Sequence, residues 1–306
     1  MNLQQLEYIV AVDNYRNFAK AAESCFVTQP TLSMMIKNLE SELDTTIFDR
    51  SKQPVVPTDL GLLILEKARN ILHETRGLRE VIRERKGILD GDLAIGIIPT
   101  LSTYLIPLFL HAFTRQYPAI NLIFSEQTTE ILIDRLVKGK IDVAILVTPL
   151  KNPAIVEIPL FYEEFVLYSA EKPARNYVLP EDINPGELWL LEEGHCLRSQ
   201  IMNLCELRKK TNTRLNFQTG NLEMLKELVR NYQGMTILPE LASLNLPDSE
   251  KIRLSRFASP APVREVSMAL HRNYLKKRHI DALQKTILER IPPWIRKRRN
   301  FRKIEI

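Results

Sequence analysis

The apolar pattern of this chain changes period at Gly91, and that break limits the possible folds more than any other feature. Upstream, apolar residues recur at helical spacing. Downstream, Leu93-Ala94-Ile95-Gly96-Ile97-Ile98 is a short continuous apolar run closed by Pro99-Thr100, the pattern of a buried parallel strand. A helix to Tyr117-Pro118, a strand Ile120–Phe124, a helix Glu130–Val137 and a strand Ile141–Val147 are expected next. Such alternation builds a parallel sheet with ligand sites near the strand C-termini. A second α/β lobe is expected over about 165–265, with strands near 165–169 and 188–191, a helix over 221–231 and a strand Met235–Leu238. The chain then returns to the first lobe through a strand Val266–Leu270 and a helix over 278–290.

Upstream of the break, residues 58–87 read as one long helix capped by Thr58. Its seam is Leu62, Leu65, Ala68, Ile71, Leu72, Leu78 and Ile82, and charges alternate along the outer positions. An apolar seam of this length needs a partner, and a second copy of the chain supplies one. Residues 1–50 read as three shorter helices. Leu3, Leu6, Ile9 and Val10 form one stripe; Asn17 caps a helix with Phe18, Ala21 and Ala22 turned inward. After Cys25-Phe26-Val27, Thr28 caps a third helix with Pro30 in its first turn, where a missing N–H costs little. Leu32, Met35, Ile36, Leu39 and Leu43 face inward; Gln29, Ser33, Met34 and Lys37 occupy the opposite face. Small alanines, a short turn and a polar-ended second helix suit a helix-turn-helix. On pattern alone, three amphipathic helices suit an ordinary helical core equally well.

The local residues go further. Phe18-Ala19-Lys20-Ala21-Ala22-Glu23, Val27-Thr28-Gln29-Pro30-Thr31-Leu32-Ser33, Ile36-Lys37-Asn38-Leu39-Glu40, Leu43-Asp44 with Ile47-Phe48-Asp49-Arg50, and Pro57-Thr58 with Gly61 together resemble the N-terminal domain of the LysR-type transcriptional regulators. The resemblance implies a winged helix-turn-helix over 1–58, a dimerising linker helix over 59–89 and, over 90–306, a two-lobed α/β regulatory domain like that of periplasmic binding proteins. The first lobe then covers about 90–164 and 266–306, the second about 165–265. It also implies a recognition helix starting near Thr28 and a wing from Arg50 to Val56. Thr28, Gln29, Pro30, Thr31, Ser33, Met34, Lys37 and Arg50 are the expected contacts to double-stranded promoter DNA. Met34-Met35 departs from the polar residues many members carry there; a thymine methyl is the apolar contact open to Met34.

Bulk charge adds nothing to this expectation. The net charge is +5, but residues 291–306 hold six basic residues and one acid, which is the whole excess, and residues 1–90 hold twelve Lys/Arg against thirteen Asp/Glu. That basic end reads as a mobile, solvated tail. The opening Met1-Asn2-Leu3-Gln4-Gln5 lacks signal-peptide regions, and no apolar run is long enough to span a bilayer, so no membrane is expected and the cytoplasm is the expected compartment. Three cysteines are too few for a disulfide scaffold, and no metal-ligand spacing or cofactor motif is present in the sequence.

Two of those cysteines stand out. Gly194-His195-Cys196-Leu197-Arg198, followed by Cys205, resembles the peroxide-sensing members of the same family. Cys196 opens a segment, Leu197–Leu207, that reads as a helix, and a helix N-terminus favours a thiolate. The resemblance implies Cys196 as the sensing thiol, Cys205 as its resolving partner, Arg272 as the nearby cation and Thr100 as a hydroxyl that orients peroxide. Thr128 or Thr129 is a weaker candidate for the same task, and His195 a neighbour that orients the site or packs. Along a continuous helix, nine residues separate the two Cα atoms by about 13–14 Å. A disulfide needs about 7 Å or less. Closing the pair therefore requires the helix to unwind. For arbitrary cysteines at this spacing, two small buried apolar residues remains the alternative.

The expected function is a peroxide-switched, DNA-binding transcriptional regulator, not an enzyme, acting as a dimer of dimers with RNA polymerase and a thiol-reducing system as further partners. A LysR-type regulator of a small metabolite is the nearest alternative. A thiol peroxidase has no use for a DNA-binding module, and a solute-binding protein carries neither that module nor this N-terminus.

Overall fold

The computed structural model describes residues 1–85, 89–172, 177–206, 219–296 and 300–305. The chain divides into two compact units, Met1–Ile88 and Leu89–Ile306.

The first unit runs α1 (Leu3–Tyr15), α2 (Phe18–Ser24), α3 (Gln29–Glu42), β1 (Phe48–Asp49), β2 (Val56–Pro57) and α4 (Asp59–Arg85), with β1 and β2 antiparallel. Local chemistry sets the helix starts. Asn2 and Gln5 form a reciprocal capping box on α1. Asn17 accepts from the Lys20 N–H at 3.0 Å, and Thr28 from the Thr31 N–H at 3.4 Å. Each cap satisfies a donor that a helix leaves open. Leu6, Ile9, Val12, Ala21, Ala22, Leu32, Ile36 and Leu39 are buried together with Ile47 and Phe48.

The seam of α4 divides in two. Leu65, Ala68 and Leu72 are buried in this unit's own core, whereas Leu62, Ile71 and Leu78 are exposed; the side chain of Ile82 lies outside the described residues. Arg69 pairs with buried Asp13 of α1, which fixes the helix on the core. Gly61 explains the close approach: a Cβ there would lie 2.1 Å from the Ile47 carbonyl oxygen.

The second unit begins with β3 (Gly91–Ile97), α5 (Pro99–Gln116), β4 (Ile120–Glu126), α6 (Thr129–Val137), β5 (Val143–Thr148) and β6 (Ile155–Ser169). Then come β7 (Tyr177–Val178), β8 (Leu188–Trp189), α7 (Cys196–Leu204), α8 (Leu222–Tyr232), β9 (Met235–Pro239), two short helices α9 (Glu240–Ser243) and α10 (Asp248–Lys251), and β10 (Leu254–Phe257). It closes with β11 (Ala261–His271), α11 (Lys277–Arg290), α12 (Pro293–Arg296) and β12 (Phe301–Lys303). One half-sheet has the order β4-β3-β5-β11-β6, with β3 parallel to β4 and β5, and β11 antiparallel to β5 and β6. The other forms around the far end of β6, which pairs with β9 and β10. This is a two-lobed α/β domain whose lobes share one long strand. None of the described helices is long and apolar enough to cross a membrane.

Three elements differ from the sequence expectation. β6 is fifteen residues long, not confined to 165–169, because Glu157, Pro159 and Glu163-Glu164 interrupt its apolar run. β11 starts at Ala261, ahead of Val266, because Pro262 and Arg264-Glu265 hide its first half. The basic tail is no mobile end in its described part: Phe301–Lys303 pairs in parallel with Ala261–Val263. Apolar Phe301 and Ile304 anchor it, Phe301 against Tyr162 at 4.3 Å between ring centroids and Ile304 buried at 4% exposure.

Candidate functional site

Cys196 is the first residue of α7, and His195, in an extended conformation, is the N-cap. The helix therefore presents its open backbone amides to the sulfur: the N–H groups of Cys196 and Leu197 both favour a thiolate there. The Thr129 hydroxyl, at the start of α6, is buried and also favours the thiolate; among the described residues it has no other hydrogen-bond partner. The sequence left Thr128 and Thr129 open; the structure brings Thr129 to the sulfur, while Thr128 is the N-cap of α6.

The cation beside Cys196 is Arg264, not Arg272. Arg272 is exposed just beyond the end of β11, where its N–H donates to the Ala154 carbonyl at 2.8 Å. Arg264 has no exposure and lies on β11 opposite Glu163 of β6. Its Nε donates to Glu163 Oε2 at 2.7 Å, Nη1 to the Thr100 hydroxyl at 3.0 Å and Nη2 to the Thr100 carbonyl at 3.2 Å. Glu163 also accepts from the Leu241 N–H at 2.7 Å. Burial pushes the Glu163 carboxyl up, opposed by Arg264 and that N–H. Thr100, in the first turn of α5, thus reaches the site by fixing the guanidinium. A planar fork with several donors suits this task; a lysine would serve one partner at a time. Arg264 and Glu163 are absent from the sequence reading because each is a charge inside a strand. The run Pro262-Val263-Arg264-Glu265-Val266 is a mixed pattern that local periodicity assigns to a surface.

The expectation of a lowered thiol pKa is reversed. Burial pushes the Cys196 thiol above its ordinary value, against the pulls of Arg264, Thr129 and the amides. Cys196 is only 8% exposed, and that burial is the cause. His195 is buried too, with Nε2 3.7 Å from Glu192 Oε1; a Cβ on Gly220 would lie 2.8 Å from that same nitrogen. Gly220 thus leaves the room the ring occupies, and a side chain there would displace it.

Cys205 caps the other end of α7, half-buried, and burial pushes its thiol up to about 11. Both cysteines are free thiols. The helix ends at Leu204, short of the expected continuation: Cys205 is its C-cap and Glu206 adopts a left-handed conformation at φ 50, while Leu207 lies outside the described residues. The two thiols thus stand at opposite ends of one continuous helix.

In the first unit, α3 turns a polar face outward. Thr28, Gln29, Pro30, Thr31, Met34 and Lys37 are exposed, and Ser33 is half-buried. Arg50 is tied down: it pairs with Glu40 at 2.8 Å, donates to Ser33 at 3.4 Å and lies 5.1 Å from the centre of the Phe18 ring. Phe26, in the turn ahead of α3, is 96% exposed at φ 56. Cys25, beside it, is half-buried, and burial raises its thiol.

Comparisons with known proteins agree with this arrangement. Residues 3–62 match the bacterial regulatory helix-turn-helix protein, lysR family, and residues 86–292 match the LysR substrate binding domain. A hydrogen peroxide-inducible genes activator from Haemophilus influenzae is 35% identical over 88% of this chain and 90% of its own length. The DNA-binding transcriptional dual regulator OxyR of Escherichia coli is 36% identical over 79% of this chain and 80% of its own. Among solved structures, a full-length OxyR variant from Pseudomonas aeruginosa superimposes with a TM-score of 0.79 at 33% identity, covering 94% of this chain and 98% of that one. Helix-turn-helix, long helix and two-lobed domain together place the chain in the LysR family of bacterial transcriptional regulators, beside the hydrogen peroxide-inducible genes activators.

Proposed function

We propose that the chain is a transcriptional regulator that senses hydrogen peroxide at Cys196 and binds promoter DNA through α3. The observation that carries this reading is the placement of two free thiols at the two ends of α7, only one of which sits against Thr129 and a buried arginine. The sulfur of Cys196 attacks one oxygen of peroxide. An S–O bond forms, the O–O bond breaks, and the departing hydroxide takes up the thiol proton and leaves as water. Arg264 and the helix amides stabilise the charge that develops on sulfur and oxygen. The Thr129 hydroxyl and, through its hold on Arg264, Thr100 orient the peroxide. His195 borders the site.

The resulting sulfenic acid is attacked by Cys205; the S–S bond forms, the S–O bond breaks, and a second water leaves. At a rise of about 1.5 Å per residue the two Cα atoms start about 13–14 Å apart, so α7 unwinds as the bond closes. That makes the disulfide a covalent two-state switch. A cellular dithiol system returns it with two electrons and two protons. The rearrangement passes to a second copy and so to DNA. The exposed half of the α4 seam joins two copies, and two such dimers bind one promoter beside RNA polymerase, in the cytoplasm. On the DNA, Gln29, Thr31, Ser33 and Met34 face the bases, while Thr28, Pro30, Lys37 and Arg50 face the backbone.

Mass mapping of thiols before and after one equivalent of peroxide tests the reading. It requires a Cys196–Cys205 bond in the oxidised chain. A bond to Cys25, or no bond, rejects it.

A further inference from the structure

The final strand is joined to the switch helix. Gln200 Nε2 of α7 donates to the Ile304 carbonyl at 2.9 Å, and Asn203 Nδ2 donates to the Glu305 carbonyl at 3.2 Å. The same strand is held to the sheet from its other side. The Ile304 N–H donates to the Val263 carbonyl at 2.9 Å, and Lys303 pairs with Glu265 at 2.8 Å. Glu265 in turn accepts from the Thr148 hydroxyl at 2.6 Å. β12 is thus a bridge between α7 and the first residues of β11, next to Arg264.

We propose that β12 is a latch on α7, and that Gln200 is a positioning residue whose bond to Ile304 delays closure of the Cys196–Cys205 disulfide. This rests on the peroxide-switch reading and adds a control to it. Both tethering side chains lie inside the segment that must unwind: Gln200 is one turn past Cys196, and Asn203 is in the last turn before Cys205. Neither bond survives unwinding unless the strand moves with the helix. Gln200 has no exposure, so its N–H groups have no water to fall back on, and losing Ile304 leaves a buried donor unpaired. Its Oε1 is also buried and has no hydrogen-bond partner among the described residues. The amide is therefore held through one side only, which suits a tether that must yield. Oxidation of Cys196 to the sulfenic acid disturbs neither bond. The latch acts on the second step alone: attack by Cys205, formation of S–S and release of water.

The test uses the full chain, Gln200→Met, a chain ending at Asn300, and the two changes combined. Sulfenic acid formation and disulfide closure are timed separately after peroxide by quenching, thiol alkylation and mass mapping. Loss of one buried hydrogen bond predicts closure about tenfold faster in Gln200→Met, and at least that much faster in the truncated chain, which loses the Asn203 bond as well. Sulfenic acid formation stays within about twofold of the parent, well inside that single-bond effect. The reduction potential falls by about 30 mV, which is tenfold in the equilibrium constant. Combining the changes adds nothing to the truncation, because the truncation already removes the bond that Gln200→Met removes. Hydrogen exchange on the parent chain is an arm that needs no variant: the Gln200 side-chain amide protons, which donate to the Ile304 carbonyl, are protected in the reduced chain and exchange faster once oxidised. Unchanged closure rates and potential, or a Gln200 side-chain amide equally protected in both states, overturns the latch while leaving the switch in place. Failure of the parent to form the disulfide overturns both.

Discussion

Arg264 and Glu163 meet at 2.7 Å across β11 and β6, and neither side chain has any exposure to solvent. This pair sets the character of the candidate site. It brings a fixed positive charge to Cys196 without placing a free guanidinium in the core, and it holds Thr100 by two further bonds. Burial outweighs its pull on the sulfur and pushes the thiol above its ordinary value.

Breaking the pair from one side is expected to be costly. Arg264→Met leaves Glu163 buried without its partner, and stability falls by about 3–5 kcal/mol. Glu163→Gln combined with Arg264→Met recovers much of that loss, since no lone charge remains. Denaturant titration of all three chains measures both changes. Arg272→Ala, on an exposed residue, leaves stability and the rate of Cys196 oxidation unchanged; a slowed rate would return Arg272 to the site.

The pH dependence of oxidation follows from the raised Cys196 thiol. The thiolate reacts, and below the thiol pKa its fraction grows about tenfold per pH unit. Burial shifts that pKa upward, so the rate keeps climbing with pH beyond the ordinary thiol value. Stopped-flow measurement of thiol loss checks this. A rate already flat at neutral pH would mean a thiol held below its ordinary value.

Cys205→Ser separates the two chemical steps. The sulfenic acid at Cys196 forms at the parental rate and then persists, because no second thiol completes the bond. A sulfenic-acid-selective probe followed by mass mapping should label Cys196 strongly in this variant and weakly in the parent. Equal labelling would show that Cys205 is not the resolving thiol.

On the DNA side, Lys37 and Met34 differ in kind. Lys37→Ala removes one exposed charge on the outward face of α3, so binding weakens evenly across sequences and the salt dependence of log K drops by about one unit. Met34→Ala leaves the salt slope alone and weakens binding only where a thymine methyl is read. Titrations at several salt concentrations, with uracil replacing thymine in the site, distinguish the two.

Gly61→Ala tests the close passage of α4. A Cβ 2.1 Å from the Ile47 carbonyl oxygen forces the helix outward. Overpacking of this kind costs about 1–3 kcal/mol, read as a lower denaturation midpoint of the full chain.

The sequence alone determined whatever depends on near neighbours. Asn17 and Thr28 cap the helices they were expected to cap, since capping is settled within three residues. The period change at Gly91 marks the start of β3, and Cys196 and Cys205 fall at the two ends of one helix. Tertiary structure decided which groups meet. Arg264 finds Glu163 across 101 positions and Thr100 across 164, and Gln200 finds Ile304 across 104. Read locally, each of these is a polar residue in a mixed run, which periodicity assigns to solvent. Only the pairing of β6 with β11 buries Arg264 and supplies the partner that makes its burial tolerable, so no local pattern marks it, and the family resemblance pointed to Arg272 instead. The basic tail misled for the same reason. Its charges describe a solvated end, but Phe301 packs on Tyr162 of β6 and Ile304 is buried, a surface that exists only once the sheet has formed.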